Sequence, residues 1–343
     1  MSGGSSSAAR WSTLLEPVSR NEDSPRPGEI RLSEVVELSQ GRPESITSGR
    51  PVLIGFPEDE GVRRNGGRAG AALAPREIRN WLYRLTAWDP QADVDLSVLP
   101  PLDLGDVCQA GMEEMQSALG QVVAEVLRRG AIPIILGGGH ETDYGHYLGY
   151  VAVQQQVGII NLDAHLDIRP LMDGKGHSGS PFRQALEHPA QPLRHYVCLG
   201  AQPHATSRDH LLYARQRGCV VRWRDEVSPG LDQHFSRELD RLMNEGCDVS
   251  VSIDADVVRA ADMPGVSAPN PAGVPGDEIA RCARLAGQCP VVSSLDLVEI
   301  NPVFDRDGQS ARWAALVLWH FLMGMGLRRQ VTGNRPADQS RHS

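Results

Sequence analysis

Lysine is almost missing from this 343-residue chain: Lys175 is the only one, and arginine carries nearly all of the positive charge. We read that skew as a coding bias of the source rather than as chemistry. No basic run offsets the net charge of −9, which argues against a nucleic-acid partner. No stretch approaches the roughly 20 apolar residues that a bilayer-spanning helix needs, so no membrane segment is expected. The first thirty residues are rich in Ser, Gly and Pro and lack the apolar centre of a signal peptide. The six cysteines (Cys108, Cys198, Cys219, Cys247, Cys282, Cys289) form no CxxC pair and lie in or near apolar segments. That is the pattern of buried free thiols in a reducing compartment. A cytoplasmic location is the expectation.

What is present is ordinary globular material, 41% hydrophobic and 22% charged, enough to fill a sizeable core. Apolar runs alternate with helical patterns. Strands are expected at 51–56, 131–136, 157–163, 194–200, 219–223, 248–254 and 291–298, with a weaker one near 93–99. Between Gly111 and Arg129, Met112, Met115, Leu119, Val122, Val123, Val126 and Leu127 recur at helical steps. Similar periodicity covers 74–85, 208–217, 234–244, 277–286 and 310–327. This alternation predicts a mostly parallel sheet of about eight strands with helices on both faces. No internal repeat or linker interrupts the body. The expected organisation is a flexible tail over 1–30, a single domain over 31–327 and a second loose tail over 328–343.

Three of the expected strands end in ionisable residues. They are Ile134–His140 (IILGGGH), Ile159–Asp167 (IINLDAHLD) and Val249–Asp256 (VSVSIDAD). A buried β-branched run followed by such groups reads as a parallel strand delivering side chains to its carboxyl edge, where open α/β sheets build their sites. Extended geometry would turn Asp163, His165 and Asp167 to one side, and Asp254 and Asp256 likewise. His140 follows a triple-glycine turn that permits a sharp bend. Read singly, each could be a strand-end cap or turn former; six on strands of like pattern point to one site. Four carboxylates offset the charge of two divalent ions, and an oxygen-rich set with two imidazoles suits Mn²⁺ better than structural zinc. The chain is therefore expected to be a binuclear metal hydrolase.

GGGH at 137–140, DAHLD at 163–167 and SIDAD at 252–256 resemble the metal motifs of the ureohydrolase (arginase/agmatinase) family, in the family's order. The similarity runs from about Pro51 to Leu327. It implies a three-layer α/β/α, arginase-like fold, two Mn²⁺ per subunit, a metal-bridging hydroxide as nucleophile and a homo-oligomer. By the same resemblance Asp163 and Asp254 would bridge the ions, His140 and Asp167 would complete one, and His165 and Asp256 the other. Deacetylases share the fold, but the DAHLD pattern does not suit their mononuclear zinc.

Within the family, Glu141 in GGGHE, EDEGVRRNGGR at 58–68, SGSPFR at 178–183 and DLVEINPVFDRDGQSAR at 296–312 are similar to one branch, the formimidoylglutamases of histidine breakdown. That branch hydrolyses the formimidoyl C–N bond of N-formimidoyl-L-glutamate to L-glutamate and formamide. Ser178 stands where arginases and agmatinases often carry a proton-shuttling histidine. His177, one residue earlier, is the candidate donor, and an exposed loop histidine is the alternative reading.

Glu299, by the same resemblance, would orient the cationic imino nitrogens; a strand-end glutamate paired with an arginine is the plainer alternative. An anionic substrate calls for guanidinium forks, and Arg63, Arg64 and Arg68 flank a flexible turn at Asn65. Arg63, Asn65, Arg68, Ser178 and Asn270 are the candidate substrate contacts, although arginine clusters are often solvated and Asn-Pro also simply marks a turn. His146, Tyr144 and Tyr147 are expected to pack or to support the ligands. Two other readings stand beside this one: a guanidine ureohydrolase releasing urea, and a catalytically silent metal-binding structural protein.

Overall fold

The computed structural model describes residues 13–19, 27–39 and 45–333. Its strands, in chain order, are β1 (Leu15–Glu16), β2 (Glu37–Leu38), β3 (Pro51–Gly55), β4 (Trp88–Asp89), β5 (Val94–Asp95), β6 (Leu102–Val107), β7 (Ile132–Leu136), β8 (Val157–Leu162), β9 (Leu193–Ala201), β10 (Val220–Trp223), β11 (Asp248–Asp254) and β12 (Val292–Val298). Ten of them form one sheet in the order β1-β6-β3-β7-β12-β11-β8-β9-β10, with β2 also beside β6. Every pairing is parallel except that of β1.

Period-2 alternation sends successive residues of each central strand to opposite faces, and both faces are dry. Leu53, Ile134, Leu136, Ile160 and Leu162 pack into one core with the helices Ala74–Leu82, Leu231–Asn244, Gly276–Gln288 and Gln309–Gly333. Val52, Ile54 and Ile135 face the other way, against Met112–Arg128. Ile159 joins a third core with Thr142–Val153, Pro181–Glu187 and Arg208–Gln216. The result is the expected α/β/α layering. All six cysteines are free. Among the described residues no helix is long and apolar enough to cross a membrane.

Three local expectations need correction. The sheet has ten strands, not about eight. The segment near Asp93–Leu99 stays outside it: Val94–Asp95 pairs only with Trp88–Asp89, and Asp93 turns the chain at φ +50. Leu102–Val107 is an inner strand whose Asp103 is buried against the Arg79 guanidinium at 2.7 and 3.0 Å. Most of the two expected tails, residues 1–12, 20–26 and 334–343, lies outside the described residues; of the remainder, Leu15–Glu16 pairs with β6 and the last helix runs to Gly333.

The order of the central strands sets the site. β7, β12, β11 and β8 are neighbours and parallel, so their carboxyl ends share one edge. The turn after β7 is pressed against Glu58, whose carbonyl accepts from Gly139 N at 2.9 Å. A Cβ at Gly138 would overlap that same carbonyl. Gly138→Ala is therefore expected to cost on the order of 3 kcal/mol by overpacking, read as a lower urea midpoint at unchanged slope.

Candidate metal centre and substrate cavity

The ligand-bearing segments do not continue as strands. β8 ends at Leu162, and Asp163 Oδ1 accepts from His165 N at 2.6 Å, folding the backbone into an Asx turn. At the end of β11, Asp254 Oδ1 accepts from Asp256 N at 2.8 Å and starts a short 3₁₀ turn over Ala255–Val257. Asp167 and Glu299, both non-glycine, sit in left-handed conformations at φ +46 and +63. Local strain of about 1–3 kcal/mol at such residues is held in place by the surrounding structure and clusters at functional sites. The expected extended i, i+2, i+4 presentation is thus replaced by turns that bring the same side chains together.

His140, Asp163, Asp167 and Asp254 form one group of possible ligands, and Asp163, His165 and Asp256 a second; Asp163 belongs to both. His140 Nδ1 lies 2.8 Å from Asp167 Oδ2, 3.0 Å from Asp254 Oδ2 and 3.5 Å from Asp163 Oδ2. His165 Nδ1 lies 3.1 Å from Asp256 Oδ2. Yet His140 Nδ1 and Asp256 Oδ1 are buried without a hydrogen-bond partner. Orphaned, crowded donor atoms of this kind fit a cation between them. The far side of His140 is supported: Nε2 is 3.1 Å from Ser252 Oγ, Ser252 donates to Asp296 at 2.7 Å, and Asp296 lies 3.0 Å from His146 Nδ1. Such a contact fixes the ring and leaves Nδ1 for a metal. His146 accordingly supports the ligands, while Tyr147 packs, its hydroxyl donating to Ala185 O at 3.1 Å.

The electrostatics of the protein alone show the same crowding. Burial, then the charges of Asp256 and Asp163, pushes the Asp254 carboxyl well above its ordinary range. Burial also raises Asp256 and lifts Glu299 to about 8. The Asp256 charge raises the His165 imidazole far above its usual value. His140 is raised too, against the opposing effect of its burial, by Asp143, Asp167 and Asp254. Two divalent cations would replace these protons and favour the ionised carboxylates.

Over the cluster opens a cavity of about 270 Å³, lined among others by Asn65, Arg68, His165, Asp167, Arg169, Ser178, Asp254, Asp256, Ser267 and Glu299. His140 and Asp163 lie fully buried beneath it. Glu299 Oε1 accepts from His140 N at 2.8 Å. Ser178 Oγ accepts from Asn65 Nδ2 at 3.0 Å, and Asn65 Oδ1 accepts from Arg169 Nη1 at 2.9 Å.

Three expected site residues lie elsewhere. His177 is spent on its own loop: Nε2 is 3.1 Å from Pro170 O and Nδ1 accepts from Gly179 N at 3.1 Å, leaving no ring nitrogen for proton transfer. The one-residue offset from Ser178 turns it away from the cavity. Arg63 is 54% exposed, pairs with Asp59 at 2.7 Å and does not line the cavity. Asn270 is a turn former, its Oδ1 accepting from Ala272 N at 3.1 Å. Conversely, Arg169 went unnoticed in the sequence, although it falls two residues beyond Asp167.

The chain matches the model of the arginase family over residues 50–324. It is 39% identical over 289 residues to the formimidoylglutamase of Chromobacterium violaceum, covering 82% of this chain and 89% of that relative. To the formimidoylglutamase of Klebsiella pneumoniae (strain 342) it is 37% identical over 306 residues, with 88% and 93% covered. Among solved structures, Trypanosoma cruzi formiminoglutamase with Mn²⁺ superposes with a TM-score of 0.79 at 35% identity, covering 88% of this chain and 99% of that one. The chain belongs to the arginase family.

Proposed function

We propose that this member of the arginase family is a manganese-dependent formimidoylglutamase that holds two Mn²⁺ and releases L-glutamate and formamide from N-formimidoyl-L-glutamate. The family and its relatives support an amidine hydrolase of this kind. One observation of the chain itself carries the substrate: Arg68 and Arg169 line the cavity, and neither pairs with a carboxylate among the described residues. Arg169, held by Asn65 Oδ1, can reach a substrate carboxylate. Arg68, anchored by the Ser267 and Val266 carbonyls and stacked on Phe304, adds positive charge at the wall. Together they suit an anionic substrate and repel cationic agmatine. Cytoplasmic action on a soluble metabolite belongs to the same reading.

His140, Asp163, Asp167 and Asp254 would hold one ion, and Asp163, His165 and Asp256 the other. When bound, the pair supplies a Lewis acid that activates water for attack on the formimidoyl carbon. In the net reaction the water oxygen joins that carbon, the bond from it to the glutamate nitrogen breaks, and that nitrogen leaves as an amine after gaining a proton. Glu299, at the cavity wall, accepts from the cationic imino N–H and fixes the carbon over the cluster. Arg169, held by Asn65, grips a carboxylate at the far end.

The discriminating assay compares formimidoylglutamate with agmatine, arginine and guanidinobutyrate. A kcat/KM for formimidoylglutamate at least 100-fold above the rest would support the reading; urea from a guanidino compound at a comparable rate would overturn it. Arg169→Ala is expected to raise KM roughly 10- to 100-fold by losing a charge-assisted contact. An unchanged KM in steady-state kinetics would remove Arg169 from substrate binding.

A further inference from the structure

Glu141 follows the ligand His140 directly, is fully buried, and belongs neither to the ligand groups nor to the cavity wall. We propose that Glu141 is a positioning residue that sets the spacing between the metal-bearing turn and the wall that grips the substrate's carboxylates. This rests on the functional reading above.

The connection runs through a short series of contacts. Glu141 Oε1 accepts from Gly61 N at 3.0 Å, across 80 residues of sequence. Gly61 O accepts in turn from Ser178 N at 3.1 Å. Ser178 Oγ holds Asn65, and Asn65 holds Arg169. Gly61 is therefore clasped on one side by Glu141 and on the other by the loop that carries Ser178. Its lack of a side chain is required, because a Cβ there would lie 2.5 Å from Glu141 Cδ. The backbone of Glu141 is itself held, its carbonyl accepting from Gln116 Nε2 at 2.7 Å.

A substrate charged at one end and amidine-like at the other must reach both the Arg169 wall and the cluster. The distance between them is fixed where segment 59–68 stands on the GGGHE turn. Glu141 is the side chain at that junction, and its length matters: an aspartate, one methylene shorter, could not span to Gly61 N without moving the loop. Loss of the contact releases the wall while leaving His140 and the other ligands in place. The effect falls on substrate affinity rather than on the chemical step.

The test uses the full-length, Mn²⁺-loaded protein and its Glu141→Ala, Glu141→Gln and Gly61→Ala variants. Four quantities are read: KM and kcat for formimidoylglutamate, bound manganese, and amide hydrogen exchange over residues 60–67. Glu141→Ala is expected to raise KM roughly 2- to 10-fold, the range for losing a hydrogen bond between uncharged groups. Its kcat should stay within about threefold, manganese content should not change, and exchange over 60–67 should accelerate. Glu141→Gln keeps the acceptor for Gly61 N and should restore both KM and exchange towards wild type.

Wild-type KM and exchange in Glu141→Ala would overturn the proposal, as would manganese loss and a fall in kcat that Glu141→Gln does not rescue. If Glu141→Ala does not fold, Gly61→Ala decides: a raised KM with full manganese supports the spacing role, and an unchanged KM overturns it. Failure of the wild type to release formamide would instead contradict the functional reading, with the exchange comparison still deciding the role of Glu141.

Discussion

Replacing Asp256 by alanine is expected to lower turnover by at least roughly 10³-fold, because it removes a ligand of the group that contains His165 and with it much of the Lewis-acid contribution. Asp256 lies 3.1 Å from His165 and shares a possible ligand set with it and Asp163. Bound manganese should fall from two ions towards one. The fold should survive, since Asp256 packs in no apolar core and its neighbour Asp254 keeps the turn at 254–257 through its own backbone bond. Elemental analysis beside circular dichroism and kinetics checks all three. Turnover near wild type would remove Asp256 from the metal centre, whereas an unfolded variant would make the residue structural.

The second large effect is the dependence of stability on metal and pH together. Asp254, Asp256, Glu299, His140 and His165 all have raised values in the folded protein. Each therefore binds protons in the folded state that it would have lost in the unfolded one. Stability from such groups is fully present below their unfolded values and is lost as pH rises through the folded ones. For Glu299 that window runs from its ordinary value of 4.5 to about 8. The lowered values of Asp163 and Asp143 oppose this only below about pH 4, and those of His177, His188, His195, His210 and His320, lowered by burial, only up to their ordinary 6.5.

Chelator-treated protein should thus melt at progressively lower temperature between about pH 6.5 and 8. Manganese should reverse the trend, since it binds the deprotonated ligands more tightly as pH rises. At 1,000 times Kd, binding adds about 4 kcal/mol, a rise in Tm of about 6 °C for a chain of this size. A scanning-calorimetry series with and without manganese reads both slopes. A manganese-induced shift that shrinks as pH rises would contradict a carboxylate-rich ion site.

The site was legible in the sequence because its chemistry sits where β-branched runs stop: Ile134–Leu136, Ile159–Leu162 and Val249–Ile253 mark the strands, and the polar residues follow at once. The geometry that gathers them was not. Asx turns at Asp163 and Asp254 and the left-handed Asp167 do the bending, and a sequence gives residue types rather than backbone angles. Leu102–Val107 escaped notice because Asp103, Gly105 and Asp106 interrupt the apolar pattern. Only the folded chain brings Arg79 to offset the buried Asp103. His177 and Arg63 had suitable chemistry and unsuitable directions, since a single position in a glycine-rich loop or a five-residue helix decides which way a side chain faces. Arg169 had the opposite fate. Stepping by two from Asp163 through His165 and Asp167 reaches it, but a single arginine beyond the ligands carries no signal of its own in the sequence.

The central claim is tested most directly by incubating the purified, manganese-loaded protein with N-formimidoyl-L-glutamate and quantifying products by mass spectrometry. The account predicts L-glutamate and formamide in equal amounts, formed at a rate that chelation abolishes and manganese restores. Release of ammonia in place of formamide, or no product from a protein carrying two manganese ions, would contradict it.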